Sequence, residues 1–558
     1  MQILIGLSTK DYNILWLRYM VNFRYILIVS ISFTLLSNTF LHAQDKVERP
    51  NILWITCEDM SANLPMYGDS TVKTPYLSKF AEQAVKYTKM YAVAGVCAPS
   101  RSGIITGMYP PAIGTQHMRT GTGNEKDPSI PSYEAVTPPE VKAFPEYLRT
   151  AGYYCTNNQK TDYQIGEPFT VWDDCSKDAH WRNRPKDKPF FAVFNINETH
   201  ESMIWKNANR PLRVNPKAVK LPPYYPESDV IRKDIARYYD NIILMDSIVG
   251  SILKQLEDDG LAENTIVFFF SDHGAALPWY KREIYERGLH VPFMVRFPDG
   301  KMANTSDNQL ISFMDLAPTI LSLANVSLPK HFNGQAFLGN QKAKNPRQYI
   351  FAARDRLDEH YDLVRTVRDS KFQYIRNYQP EKLNYMDVGF RKQMPLMAEI
   401  LKLRDQQKLD SIQSRWFKNK PIEELYDVEN DPFELNNLAQ NPVYAAKLQE
   451  LREVQNNWSL QIKDKGFMSE KDMVRLMWPG GIQPVTAKPV AQITTQNKSI
   501  QVSLSSSTNG ASLGYKIGDN GSWQLYHQPV AVKKGIKVYA KAIRYGYKES
   551  EEIMISTN

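Results

Sequence analysis

The sequence predicts an α/β protein whose mixed or parallel sheet is covered by helices on both faces. Three observations point there. Almost wholly apolar runs such as Thr265-Ile266-Val267-Phe268-Phe269-Phe270 alternate with segments whose apolar residues recur at helical spacing. Strands buried on both faces read as continuous apolar runs. Polar clusters fall directly after such runs, at 58–59, 197–200 and 271–273, and open α/β sheets bind ligands beyond the carboxyl ends of their strands. Finally, 558 residues with 42% hydrophobic and 23% charged composition can bury a large core and imply more than one folding unit.

The chain opens with the layout of an export signal. Arg18 and Arg24 precede an apolar run from Tyr25 to Phe33, extended by Leu35 and Leu36, and Leu41-His42-Ala43 offers a cleavage site. Residues 1–43 are therefore expected to be removed, with Met20 as an alternative start. The run is short for a membrane span, and no later segment could cross a bilayer, so no stable membrane insertion is expected. The destination is the periplasm or the medium. The formal charge of +8 favours an anionic partner. No basic block resembles a nucleic-acid arm, so no nucleic acid is expected among the partners.

From Asn51 the elements follow in order. Asn51-Ile52-Leu53-Trp54-Ile55-Thr56 reads as a strand, with the acidic pair Glu58-Asp59 just beyond it. Thr74-Pro75 starts a helix with Leu77, Phe80, Ala81, Ala84 and Val85 on one face. A second helix carries Phe144, Tyr147, Leu148 and Ala151 and stops at Gly152. Phe190–Ile196 is a strand. Ile242, Val249, Ile252, Leu253 and Leu256 line a long helix that ends at Gly260, and Val291–Phe297 is a further strand. Beyond residue 345 the pattern changes to short strands at Tyr349–Ala352 and Phe372–Ile375, then a helix with Leu448, Leu451, Val454 and Trp458. A break at Trp478-Pro479-Gly480-Gly481 precedes alternating short runs, among them Ile500–Leu504 and Ile536–Ile543. The expected organisation is a larger part over 44–344, a smaller α+β part over 345–478 and an all-β module over 485–558. That module holds nine Lys and Arg against four Asp and Glu. It could dock a polyanion or simply cap the core.

Four cysteines are present, at 57, 97, 155 and 175. If Cys97 is consumed by chemistry, the odd remainder cannot all pair. Cys155 with Cys175 is the one disulfide considered, and no spacing reads as a zinc site.

Cys97 stands in Gly95-Val96-Cys97-Ala98-Pro99-Ser100-Arg101-Ser102-Gly103, where a short helix begins. A helix N-terminus beside an arginine suits a tetrahedral anion. The stretch resembles the sulfatase family, whose mark is Cys-x-Pro-Ser-Arg, and the resemblance runs from Arg49 to roughly residue 470. It implies an alkaline-phosphatase-like fold and a cysteine that a formylglycine-generating enzyme oxidises to formylglycine. The hydrated aldehyde then supplies the nucleophilic oxygen and a ligand to a divalent cation, calcium before magnesium. Glu58-Asp59, where the family usually has Asp first, and Asp272-His273 in Ser271-Asp272-His273-Gly274 match its two metal motifs. Lys160 and Lys281 match its sulfate-binding lysines. Asp162 stands where relatives carry a histidine, which makes it a candidate base. His200, in Asn197-Glu198-Thr199-His200-Glu201-Ser202, matches the leaving-group acid. Arg101 offsets sulfate charge, and His117 with Arg119 could line the substrate pocket or lie on a solvated loop.

The combination of motifs resembles sulfatases acting on polysaccharides, so a sulfated carbohydrate, algal ulvan first, is the expected substrate. Other readings stay open: a sulfamidase or glycosaminoglycan sulfatase, a phosphatase or phosphonate hydrolase of the same superfamily, or a silent glycan-binding protein.

Overall fold

The computed structural model describes residues 49–122, 127–496 and 499–558. The export segment expected over 1–43 lies outside these residues. Nine strands form the central sheet: β1 (Asn51–Cys57), β2 (Val85–Tyr91), β3 (Tyr154–Asn158), β4 (Asp174–Cys175), β5 (Phe190–Ile196), β6 (Thr265–Ser271), β7 (His290–Arg296), β8 (Thr305–Asp307) and β9 (Ile311–Ser312). Their order is β4-β3-β5-β1-β6-β7-β2-β8, with β9 also on β2. Strands β3, β5, β1 and β6 run parallel, while β7 is antiparallel to both neighbours. The sheet is mixed, as the apolar runs predict.

Every residue of β1 and β6 is buried, because both faces of the sheet are covered. Ile52 and Trp54 point to one face, where α2 (Cys97–Thr106), α3 (Phe144–Thr150) and α5 (Leu316–Leu323) contribute Ile104, Leu148 and Ile320. Leu53 and Ile55 point to the other, against Leu77 of α1 (Pro75–Glu82) and Ile235, Ile242 and Val249 of α4 (Asp229–Asp258). Each such side chain stabilises the fold by about 1.5–3 kcal/mol relative to exposure. Ser228 caps α4 by accepting from Val230 N–H. Asp246 of α4 accepts from Leu77 N–H at 2.8 Å, which satisfies an orphan donor at the start of α1.

A second, antiparallel sheet joins β10 (Ile350–Arg354), β11 (Val364–Arg368), β12 (Phe372–Asn377) and β13 (Glu423–Asp427) in that order. Helix α6 (Pro395–Asp405) packs on α4, and α7 (Ala445–Ile462) packs over the second sheet. The indole of Trp458 stacks on Phe351 at 4.9 Å. After α8 (Glu470–Met477) come β14 (Val490–Gln496), β15 (Ser499–Ser505), β16 (Ser512–Ile517), β17 (Gln524–Leu525), β18 (Val530–Val532), β19 (Lys537–Ile543) and β20 (Ile553–Ser556). They make two small sheets, β14-β15-β18 and β17-β16-β19-β20. Ser512 Oγ and Tyr545 OH donate to the two oxygens of Glu146 on α3, at 2.7 and 2.8 Å, so the module is seated on the helices behind the sheet.

The disulfide considered between Cys155 and Cys175 does not form, and all four cysteines are free thiols. The parallel register places Cys175 opposite Asn157. Cys155 is therefore two residues back along β3, too far along the strand for a sulfur bridge.

Candidate active site

The register of the sheet builds the site. Cys57 lies opposite Ile196 of β5 and Ser271 of β6, so three strands end level and release Glu58-Asp59, Asn197–His200 and Asp272-His273 at one edge. The ladder continues past the strands: Glu58 N–H donates to Ile196 O and Asp272 N–H to Cys57 O. Cys97 is the first residue of α2, behind the extended Val96. Pro99 is tolerated there because the first helical turn has no intrahelical use for its missing N–H. Gly95 has a packing reason. A Cβ at this position would lie 2.1 Å from Glu283 O, and its carbonyl accepts from Arg282 N–H at 2.6 Å. Only glycine lets the Lys281–Glu283 turn close onto the Cys97 loop.

Asp59, Cys97, Asp272 and His273 form one buried group, and Glu58, Asp59, Cys97 and His200 form an overlapping one. In each, the ligand-type atoms lie within 4.8 Å of one another. The Sγ of Cys97 is 3.3 Å from His273 Nε2 and 3.8 Å from Asp59 Oδ1. His273 Nε2 is 3.0 Å from Asp59 Oδ1 and 3.7 Å from Asp272 Oδ1. Burial raises the Cys97 thiol above its ordinary range, against the pull of Lys281. Burial also raises Glu58, although Arg101 and Lys160 oppose it. For Asp59 burial works upward too, but Lys281, His200 and His273 outweigh it and hold the carboxyl well below its usual range. Glu58 Oε2 is buried without a hydrogen-bond partner. An orphaned carboxylate oxygen beside two further buried carboxylates is a donor set that fits a divalent cation.

Three cations surround this group. Arg101 Nε donates to Asp272 Oδ2 at 3.0 Å and Nη1 to Asn195 Oδ1 at 2.8 Å. Lys160 Nζ lies 3.2 Å from Glu58 Oε1 and 3.1 Å from Asp162 Oδ2. Lys281 Nζ donates to Asp59 Oδ2 at 2.5 Å and lies 3.1 Å from Glu201 Oε1. Glu201 in turn takes both Arg282 Nη groups at 2.9 Å, and its own N–H donates to Asp59 Oδ2 at 2.7 Å. Asp59, Arg119, Asp162 and Arg282 all have left-handed φ, from 51° to 75°. Such conformations persist where surrounding contacts over-determine them.

His200 Nδ1 faces Ser202 N–H at 3.3 Å and Ser202 Oγ at 2.9 Å. A backbone N–H can only donate, so Nδ1 is the acceptor and the ring proton sits on Nε2. Nε2 points at Glu58 Oε2, 3.9 Å away. Burial, then Lys281, pushes His200 down to about 4, which keeps it neutral at neutral pH. His117 is buried apart from this group. Its Nδ1 accepts from Arg356 N–H at 3.2 Å and its ring meets Tyr361 edge-on. Arg119 is at the surface, bonded to Asp358 Oδ1 at 3.1 Å.

The profile of the family described as Sulfatase matches residues 50–177 and 176–326, and that described as N-sulphoglucosamine sulphohydrolase, C-terminal, matches 274–415. The chain is 46% identical over 553 residues to an ulvan-active sulfatase of Formosa agariphila, covering 92% of each protein. The chain belongs to the sulfatase family. It is also 23% identical over 465 residues to human N-sulphoglucosamine sulphohydrolase, covering 74% of this chain and 90% of that protein. Among solved structures, a 2-O GAG sulfatase aligns with a TM-score of 0.58 at 20% identity, over 75% of this chain and 93% of that one. That likeness shows the shared fold.

In this sulfatase the structure gathers Glu58, Asp59, Cys97, Arg101, Lys160, Asp162, His200, Asp272, His273 and Lys281 around one point. His117 is not among them. Sequence reasoning gave no role to Asn195, Glu201 or Arg282. Glu201 and Arg282 stand directly beside His200 and Lys281 in the sequence, and a charged residue flanking a candidate site residue is the one signal that could have found them. Asn195 sits inside an otherwise apolar strand, which marks it in hindsight as facing polar partners.

Proposed function

We propose that this protein is an exported sulfatase that hydrolyses sulfate esters on a sulfated polysaccharide, ulvan first. Residues 1–43 serve as its export signal, 44–344 and 345–478 as the two parts of the catalytic unit, and 485–558 as an appended β module. The observation that carries the reading is the setting of Cys97: first in its helix, beside Asp59 and His273, and faced by Lys160 and Lys281. The substrate rests on the similarity to the ulvan-active relative.

Asp59, Asp272, Glu58 and His273, with the oxygen that replaces the Cys97 sulfur, would hold one divalent cation, calcium by preference for oxygen donors. Such a cation supplies positive charge against a sulfate group and favours an ionised hydroxyl next to it. Formylglycine at position 97, made by a formylglycine-generating enzyme, supplies a hydrated aldehyde whose hydroxyl is the nucleophile toward sulfur. The rest falls to the chain's own side chains. Lys160 and Lys281 bind the sulfate oxygens and offset the charge that repels a nucleophile. Arg101 is already engaged by Asp272 and Asn195, so it holds the carboxylate in place and adds charge from behind. His200 presents Nε2–H to the leaving oxygen, and the negative charge of a bound sulfate favours the protonated imidazole. Asp162, 3.1 Å from Lys160, orients that lysine and stands where it could accept a proton.

The test is sulfate release by the matured enzyme from ulvan oligosaccharides, set beside N-sulfated glucosamine and a phosphate monoester. Release from ulvan oligosaccharides is expected. Turnover of N-sulfated sugar alone would move the protein to the sulfamidases, and turnover of the phosphate alone to the phosphatases. No turnover of any of them would leave a glycan-binding protein.

A further inference from the structure

Glu201 follows His200 in the chain, is fully buried and stands outside the groups of ligand-type atoms around Cys97. Its carboxylate accepts from both Nη groups of Arg282 at 2.9 Å, and its Oε1 lies 3.1 Å from Lys281 Nζ. Consecutive side chains point apart on a helix or a strand. Lys281 and Arg282 nevertheless reach one carboxylate, at a turn where Arg282 has a left-handed φ of 75°, a conformation uncommon outside glycine. The turn is fixed from its other side by the bond from Arg282 N–H to Gly95 O at 2.6 Å, two residues before Cys97. Arg282 Nε also faces Asp358 Oδ2 at 3.6 Å. The backbone N–H of Glu201 donates to Asp59 Oδ2 at 2.7 Å, the same oxygen that Lys281 Nζ reaches at 2.5 Å. Glu201 is thus tied to Asp59 and Lys281 directly, and to the Cys97 loop through Arg282.

We infer that Glu201 is a positioning residue for Lys281: its carboxylate, clamped by Arg282, holds the ammonium in the orientation from which it meets the sulfate group. The inference rests on the sulfatase reading, in which Lys281 binds sulfate oxygens. An ammonium carries three donors on a flexible stem. With one donor given to Asp59 and one to Glu201, the third is left for a ligand and the stem is held at two points. A bond to Asp59 alone would leave the ammonium free to turn about it, and Asp59 is also assigned to the cation. The pair with Arg282 supplies the stiffness, because a planar guanidinium fixes both oxygens of a carboxylate at once. A charge held in place before the substrate arrives stabilises developing charge without reorganising.

Calorimetric titration with inorganic sulfate, on the full chain carrying Cys97→Ala with calcium present, reads the hold of Lys281 on sulfate without turnover. Adding Glu201→Gln should weaken sulfate binding by about tenfold or more. Gln keeps the size of the side chain and the backbone N–H to Asp59 and removes the charge. Lys281→Met should weaken binding at least as much, and Glu201→Gln added to Lys281→Met should cost less than about twofold more, because residues that act through one interaction are not additive. Fully additive losses, no loss with Glu201→Gln, or no sulfate binding by the parent would overturn the role. In the matured enzyme, Glu201→Gln should lower kcat/KM on a sugar sulfate and on an activated aryl sulfate by the same factor, since Lys281 meets the sulfate group and not the leaving oxygen. Loss on the sugar sulfate alone would place the effect at His200 and overturn the role. Metal content by elemental analysis should stay at the parent's value, and a fall in step with activity would place the effect at Asp59 and overturn it too. Melting temperatures check that each variant is folded. If Glu201→Gln melts below the assay temperature, its combination with Arg282→Gln, which removes both charges of the pair, carries the same comparisons. Failure of the sulfatase reading looks different: the matured parent itself would release no sulfate from either substrate, and the role of Glu201 would fall with it.

Discussion

The Sγ of Cys97 lies 3.3 Å from His273 Nε2, so the first residue of α2 and the second residue after β6 face each other across the site. Maturation of Cys97 would therefore place a reactive oxygen among the carboxylates already gathered there. Mass spectrometry of the peptide spanning Cys97 should show formylglycine when the maturation enzyme is co-expressed. Cys97→Ala should abolish sulfate release and leave the melting temperature near that of the parent. Full activity in that variant would end the proposed mechanism.

Asp59 and Asp272 belong to the same buried group. Loss of an outer-shell partner of a metal commonly costs about 10–100-fold in affinity or activity, so Asp59→Ala and Asp272→Ala should each exceed that. Metal content by elemental analysis and sulfate release should fall together, and chelation should reproduce the effect. Unchanged metal content in both variants would contradict the assignment.

His200→Ala should lower kcat/KM on a sugar sulfate by about 10²–10⁴-fold, the usual contribution of a general acid. The loss on an activated aryl sulfate should be much smaller, because a nitrophenolate leaves without a proton. Equal loss on both would assign His200 to holding sulfate instead.

Trp458 is 4% exposed, stacks on Phe351 at 4.9 Å and meets Tyr109 edge-on at 5.1 Å. It ties α7 to β10. Trp458→Ala should destabilise the protein by about 3–5 kcal/mol through lost burial and the cavity left behind, read from urea midpoints. A change below about 0.5 kcal/mol, the range of ordinary surface substitutions, would show that other contacts hold α7.

Asp234 of α4 is buried and accepts from Leu396 N–H at 2.6 Å. Burial, only partly opposed by that hydrogen bond, pushes its carboxyl up to about 6. The folded value lies above the unfolded one of about 3.9. The folded form thus binds the proton more tightly, and the contribution of Asp234 to stability falls as pH rises from about 4 to 6. Asp234→Asn keeps an oxygen for Leu396 and removes the charge. It should raise stability at neutral pH and make little difference below about pH 4, where the parent carboxyl is already protonated. Denaturant melts at the two pH values check this, and an equal effect at both would refute it.

The chemistry of this protein was legible where it is written locally. A helix start with Cys97 and Arg101 one turn apart, and polar pairs directly after apolar strands, depend on neighbours within a few residues, and the alternation of runs and helical spacings announces a sheet covered on both faces. Other features depend on contacts between distant segments. That Cys57, Ile196 and Ser271 end level is a matter of strand register. The same register separates Cys155 from Cys175. His117 is drawn into a buried setting with Arg356 and Tyr361, which its own segment does not foretell. Phe390 reaches His200 only because the loop around Met386 and Val388 buries itself against the neighbours of Cys97. The sequence by itself determined which side chains carry charge, nucleophile and metal-type oxygen, because residue identity and local periodicity suffice for that. Which of them meet, and which aromatic side chains wall the site, was decided only by the tertiary structure, because burying apolar surface from remote segments sets those distances.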